Sequence, residues 1–383
     1  LLTGTLTAQM LSGGGLSTTY LYSVMYYDNR GRIIQTKSNN HLEGFEKEYI
    51  AYNFVGQPIK RKHEHKVMTL KSGSTSKTAT TQTEIYDYAY DHAGRLTETK
   101  HNGVIIASNS YDELGRLGSN KKGNNASLDT KYTYNIRSWT TSMMSHHLHF
   151  NLSYTHSGNI KTQAWTQEAK IRKYDFAYDG LSRLLSAKYT SPVAGEKDGV
   201  TYSYDKHGKI ASINREGKTA GGYAEVDKLS MTYSGNQLTQ VRDGITSASI
   251  SGSADFINYG GTSAIMAYNK NGALSKDTHK GITEIKYNSL NLPQSMAIDN
   301  ISSGGMARGK IDYTYSASGV KLKTIHTEDQ MAARSPVVGT NTYASGASIV
   351  TQTDYVGNKI YENGTLKRTL IDGGYIEGGV YHY

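Results

Sequence analysis

The stretch YDHAGRLTETK, Tyr90 to Lys100, returns 21 residues later as YDELGRLGSNK, Tyr111 to Lys121. Tyr, Asp, Gly and Arg keep one order and one spacing, and no familiar catalytic set is built that way. Aligned on the tyrosine, further openings are YDNRGRI at Tyr27, YNFVGQP at Tyr52, YNIRSWT at Tyr134, YTHSGNI at Tyr154, YDGLSRL at Tyr178 and YDKHGKI at Tyr204. YSGNQL at Tyr233, YNKNGAL at Tyr268, YNSLNLP at Tyr287, YSASGVK at Tyr315 and YVGNKI at Tyr355 complete 13 units spaced 19 to 40 residues apart. Nine of the 13 put Asp or Asn after the Tyr, and eight put Gly four residues after it, so the period is structural.

The offsets read as turn chemistry. Alternating runs such as YDYAY (Tyr86–Tyr90), YTY (Tyr132–Tyr134), YSY (Tyr202–Tyr204) and YTY (Tyr313–Tyr315) precede the anchor Tyr and predict strands. Asp or Asn then accepts from backbone N–H groups along the turn. Gly supplies the positive φ that closes a type I turn with a bulge. The structural turn residues on this reading include Tyr27, Asp28 and Gly31; Tyr90, Asp91, Gly94 and Arg95; and Tyr111, Asp112, Gly115 and Arg116. Tyr204, Asp205 and Gly208, and Tyr268, Asn269 and Gly272, repeat the set. Each unit is a β-hairpin whose return strand opens on pairs such as Arg95-Leu96 or Lys209-Ile210, and successive hairpins pair side by side in an all-β sheet.

Residues 1–24 form a lead-in and 25–383 the repeat region, with no linker separating independent domains. The widest gaps hold KSGSTSKTATTQTE (Lys71–Glu84), ITSASISGSADF (Ile245–Phe256) and VVGTNTYASGAS (Val337–Ser348), expected as longer loops or elongated strands. IHTEDQMAAR (Ile325–Arg334) is expected as one short helix. The N-terminus, LLTGTLTAQMLSGGG, has neither an initiator Met nor a basic leader region and is expected to lie inside a longer chain.

Composition agrees with a repeat sheet. The 383 residues include 31 Tyr against 5 Phe, with 40 Gly and 4 Pro. Tyr suits a sheet hydrated on both faces, since its ring packs while its hydroxyl stays wet. Without Cys there is no disulfide framework and no thiolate metal site. No apolar run approaches 18 residues, so no membrane-spanning helix is predicted. The net charge of +9 is scattered, its longest cluster being KRK at Lys60–Lys62, which argues for a solvated surface rather than nucleic-acid binding.

The phrase Y-D-x-x-G-R-L at about 20-residue spacing resembles the YD-repeat, or Rhs, family. DYVGNKIYENGTLKRTLIDGGYIEGGVYHY (Asp354–Tyr383) is similar to the segment that precedes the conserved core of Bacteroidetes-type Rhs proteins. The resemblance runs from about Met25 to Tyr383. It implies a strip of stacked hairpins spiralling into a hollow shell, as in Rhs effectors, Tc-toxin cocoons and teneurins. It also implies a C-terminal toxin cargo, the remainder of the same protein as partner, a secretion-system component, and a secreted or cell-surface location. The family's core motif and the aspartates of shell autoproteolysis are absent from the sequence, so no catalytic residue is carried over and no enzyme is expected.

Candidate chemistry is sparse. HEH puts His63 and His65 on one strand face, an arrangement that can chelate zinc given a third ligand; a polar strand edge is the simpler reading. HHLH pairs His147 with His149 at the same spacing. Titration of either pair near pH 6 to 7 is expected to loosen a wall on acidification. The recurrent Asp28, Asp91, Asp112, Asp179 and Asp205 lack the acidic partners of a calcium loop, no phosphate-binding glycine loop occurs, and no cofactor is expected. Trp139, Trp165 and the tyrosines suggest surface glycan binding as the rival function.

Overall fold

The computed structural model describes residues 1–10, 15–70, 73–167, 169–245, 255–299, 308–331 and 345–383. Within them lie 30 strands and three single-turn 3-10 segments. Nineteen strands, from Gly4–Met10 to Gln237–Asp243, make one sheet, and eleven, from Met266–Tyr268 to Val380–His382, make a second. Each strand pairs antiparallel with its chain neighbours, as in Leu16–Tyr27 with Ile33–Asn39 and Pro58–Thr69 with Thr78–Tyr90. The result is an unclosed all-β meander of hairpins, and the repeat steps from one sheet to the next where the Tyr268 hydroxyl donates to the Leu238 carbonyl, 2.7 Å.

One turn shows how the repeat works. The Asp91 N–H donates to the Arg95 carbonyl and the Gly94 N–H to the Asp91 carbonyl, both 3.0 Å, while the register slips by one residue between Ala89 and Tyr90. Gly94 has φ +78°. The Asp91 carboxylate takes the N–H groups of Ala93 and Arg95 on Oδ1, each 2.9 Å, and the Arg95 Nε on Oδ2, 2.7 Å. Those bonds, with the backbone donor from Arg95 foremost, hold Asp91 below the usual carboxylate range. Asp28, Asp112 and Asp179 make the same set with Arg32, Arg116 and Arg183.

The same residues clamp neighbouring hairpins. Arg32, Arg95, Arg116 and Arg183 lie over the rings of Tyr52, Tyr111, Tyr134 and Tyr204 in the following unit, each 4.7 Å from the centroid. Each of those tyrosines reaches back, donating its hydroxyl to Ile33, Leu96, Leu117 or Leu184 at 2.7–2.8 Å. Each bond is worth about 1 kcal/mol and each stack about 0.5–1 kcal/mol, and they recur from unit to unit.

The structure corrects the short-helix expectation. Ile325–Met331 belongs to the strand Lys321–Met331, paired on one side with Arg308–Tyr315 and on the other with Ser345–Val356. Backbone partners on both sides outweigh the modest helix propensity of this stretch; Ala332–Arg334 lie outside the described residues. Two wide gaps carry elongated strands, Thr78–Tyr90 and Ser345–Val356, while residues 71–72, 246–254 and 332–344 lie outside the description. The units at Tyr233 and Tyr355 close through two-residue turns, Ser234 pairing Gln237 and Val356 pairing Lys359.

Positive φ recurs at Ser182, φ +62°, where the repeat lacks its glycine. Gly115→Val, which forces a β-branched residue into φ +80°, is expected to cost about 1–3 kcal/mol. Ser182→Gly relieves the same strain and should raise the urea midpoint by up to about 1 kcal/mol equivalent. Tyr111→Phe should cost about 1 kcal/mol and raise hydrogen exchange locally around Leu96 and Leu117. Equal urea midpoints for wild type, Gly115→Val and Ser182→Gly would refute the turn assignment.

Candidate functional site

Strand Pro58–Thr69 alternates sharply: His63, His65, Val67 and Thr69 are buried, and the residues between them are half-exposed. Cross-strand register puts Glu46 opposite His65 and Glu84 opposite His63. Glu84 and Tyr86 on Thr78–Tyr90, and Thr99 and His101 on Leu96–His101, continue this buried face. Against it lies the end of the second sheet, which contributes Asp354, Val356, Lys359 and Tyr361. Residues 296 positions apart in sequence thus touch, the Tyr361 hydroxyl meeting His65 Nε2 at 2.6 Å.

The seam's apolar part is small: Val67, Val356 and Tyr361, with Leu42 and Leu366 beside them. The rest is ionic. Lys359, fully buried, places Nζ 2.5 Å from Glu84 Oε2. His63 is held by two carboxylates, Nε2 at 2.7 Å from Glu46 Oε2 and Nδ1 at 3.3 Å from Glu84 Oε2. The second oxygens bind His65 Nδ1, 2.7 Å from Glu46, and His101 Nε2, 3.2 Å from Glu84. The Tyr381 hydroxyl closes the far side on His101 Nδ1, 2.9 Å, and His41 reaches Asp354 across the same seam, 3.1 Å.

Ionised carboxylates only accept, so both His63 nitrogens donate and the ring is an imidazolium. Glu46 and Glu84 against His63 and Lys359 then make two negative and two positive charges. Burial alone would raise Glu46, but bonds from His63 and His65 outweigh it and hold the carboxyl at about 2. Glu84 is likewise depressed: burial opposes ionisation, and His101, His63 and Lys359 override it. Burial would push His63 down, yet bonds to Glu46 and Glu84 carry it above the free imidazole. Acidification therefore tightens the seam at His63, the reverse of the loosening expected from the sequence. Two Glu–His–Tyr chains result, and burial, then Glu46 and Glu84, raise the Tyr361 hydroxyl. This arrangement holds surfaces together.

The other sequence candidates fall elsewhere. His63 and His65 come together, but their ring nitrogens are taken by Glu46, Glu84 and Tyr361 rather than left open for a metal. His147 and His149 do not pair at strand spacing: His147 lies in the bend before His149–Tyr154 and packs on His146, because the turn between strands consumes that residue. Trp139 packs on Tyr154 and Trp165 on Tyr174, within the sheet. Among the described residues one carboxylate group has the spacing of a cation site, Asp227, Asp243 and Asp255, but Arg215 and the Phe256 N–H already occupy Asp227. Sequence reasoning missed Glu46, Glu84, His101, Lys359, Tyr361 and Tyr381; the alternation around HEH was the available signal, and its partners lay too far away in sequence to be named.

A hairpin strip stapled turn to turn, with a buried ionic seam between its two sheets, has the build of a structural wall. A family model described as Teneurin YD-shell matches residues 49–164. The matched stretch is similar to that shell model, and the Tyr-anchored repeat read from the sequence runs on beyond it. A crystal structure of TcdB2-TccC3-Cdc42 is similar over 94% of this chain and 21% of that one, with TM-score 0.51 and 12% identity, which shows a shared fold. The chain thus spans about a fifth of the solved chain it resembles. A porin-like protein from Bacteroides uniformis aligns over 88% of this chain and 94% of that one at TM-score 0.17 and 10% identity, and nothing follows from it. No curated protein matches. The YD-repeat reading and the all-β strip are borne out. Among the described residues no helix is long and apolar enough to cross a membrane.

Removing one partner of the buried pair leaves an uncompensated charge, so Lys359→Met and Glu84→Gln should each cost about 3–5 kcal/mol. The double variant should recover most of that loss, since no net charge is stranded. Chemical denaturation of the three variants checks the coupling, and strictly additive losses would refute the ion pair.

Proposed function

We propose that this chain is one stretch of the wall of a hollow YD-repeat shell. The rest of the same Rhs-type protein supplies the remaining wall and an enclosed C-terminal toxin, carried by a secretion-system component to the exterior or surface of a bacterium for competition or host targeting. The observation that carries the reading is the clamp between successive hairpins, in which Arg95 lies over Tyr111 and the Tyr111 hydroxyl returns to Leu96, tying one turn to the next. That the chain spans about a fifth of a longer solved chain supports reading it as part of a larger wall.

A density map of the complete gene product tests this. Polypeptide density inside a closed cavity, unaccounted for by the repeats, is the expected result; an open, empty strip would sink containment. The rival, a glycan-binding surface strip, is favoured by one feature. Tyr20, Tyr22 and Tyr26 alternate along Leu16–Tyr27 with 48%, 49% and 42% of their surface exposed. It predicts saturable sugar binding by the chain that Tyr22→Ala weakens.

A further inference from the structure

We propose that the His63–Glu46–Glu84–Lys359 network is a pH-sensitive latch, closing the two sheets on each other in mildly acidic medium and releasing them as the medium turns alkaline. The inference concerns the chain itself and holds whatever the wall encloses.

The geometry carries it. His63 bridges two carboxylates, so loss of one ring proton turns a donor into a lone pair aimed at a carboxylate oxygen. The buried set then holds Glu46 and Glu84 against Lys359 alone, a net negative charge where water is scarce. The groups facing His63 allow no easy compensation. Arg61, on its own strand, is engaged by Glu48 of Phe45–Tyr52, and His65 by Glu46 and Tyr361. From Thr78–Tyr90 come Glu84 and Tyr86, and from Leu96–His101 comes His101, tied to Glu84. Across the seam stand Lys359, Tyr361 and Tyr381. A cleft of ≈ 380 Å³ lined by Glu84 and His101, and bounded by Leu366, Thr369 and Tyr381, lets water reach Glu84 once the network is unbalanced.

The direction follows from both ends of the titration. His63 is raised, with burial opposing and the two carboxylates prevailing, so its contribution is complete below the ordinary 6.5 and is lost as pH climbs through its higher closed-seam value. Glu46 is depressed, so its contribution is complete above the ordinary 4.5 and is lost as pH falls towards about 2. The seam is strongest between those ordinary values and opens on the alkaline side first.

Amide hydrogen exchange on the full chain, expressed as protection factors, reads the latch directly. Protection of Lys359–Glu362 should fall about tenfold between pH 6 and pH 8.5 for each unit by which closure raises His63, with Ile160–Gln167 unchanged. In His63→Gln the seam should be less protected at pH 6 and flat with pH. Unchanged protection across the range in wild type, or the same fall in His63→Gln, would overturn the latch. Histidine NMR titration of the wild type gives a second check independent of variant folding: the resonance paired with Glu46 and Glu84 must hold its proton above pH 6.5, and a neutral ring at pH 6 refutes the proposal.

Discussion

The constraint on which the repeat depends is a turn side chain that ties down its own backbone, a carboxylate at Asp28, Asp91, Asp112, Asp179 and Asp205. Asp91 does two things at once: its Oδ1 ties down the backbone of the turn, and its Oδ2 fixes the Arg95 guanidinium. A fixed guanidinium is what can lie over Tyr111 in the next hairpin, and a Tyr111 covered in that way keeps its hydroxyl on the Leu96 carbonyl. The repeat therefore transmits order from turn to turn without a thick apolar core. That economy explains the composition: Tyr supplies both a stacking face and a donor, whereas Phe would supply only the face.

A wall built this way has faces that are neither dry nor fully wet, and most of its residues are half-buried. Where two such faces meet, the apolar area available for closure is small, limited to Val67, Val356, Tyr361 and their flanks. The seam depends on charge placement instead. A buried ion network adds little net stability over an apolar patch, but it constrains position strongly. Any slip that moves Lys359 from Glu84 leaves a buried ammonium without its counter-ion, held only by the Asn358 amide oxygen.

The hairpin strip was legible because its information is local. Tyr90, Asp91, Gly94 and Arg95 lie within six residues, and each offset has one physical reason. The helix expected over Ile325–Arg334 failed for the complementary reason: local propensity was read where pairing to Arg308–Tyr315 and Ser345–Val356 decides the conformation. The seam was half legible. HEH announced one buried face, but nothing in a single sequence says that His65 meets Tyr361, or that Glu84 and Lys359 neutralise each other across the molecule. With the carboxylates unseen, HEH read as a polar strand edge, with a metal pair or an acid switch as alternatives; the strand is instead paired on both sides, and its histidines are buried against Glu46 and Glu84.

The two devices divide the work in a consistent way. Turn clamps are repeated, partly exposed and individually weak, so losing one leaves its neighbours in place. The ionic seam is buried and its groups share partners: Glu46 joins His63 to His65, and Glu84 joins His63, His101 and Lys359, while the two sheets also meet where the Ala317 N–H donates to the Ala8 carbonyl. A strip able to stay folded while its faces part requires that asymmetry. The Asp–Arg turn clamps at Asp28, Asp91, Asp112 and Asp179 share no residue with the seam, even though Lys359 opens its strand after a two-residue turn and His101 ends the strand Leu96–His101.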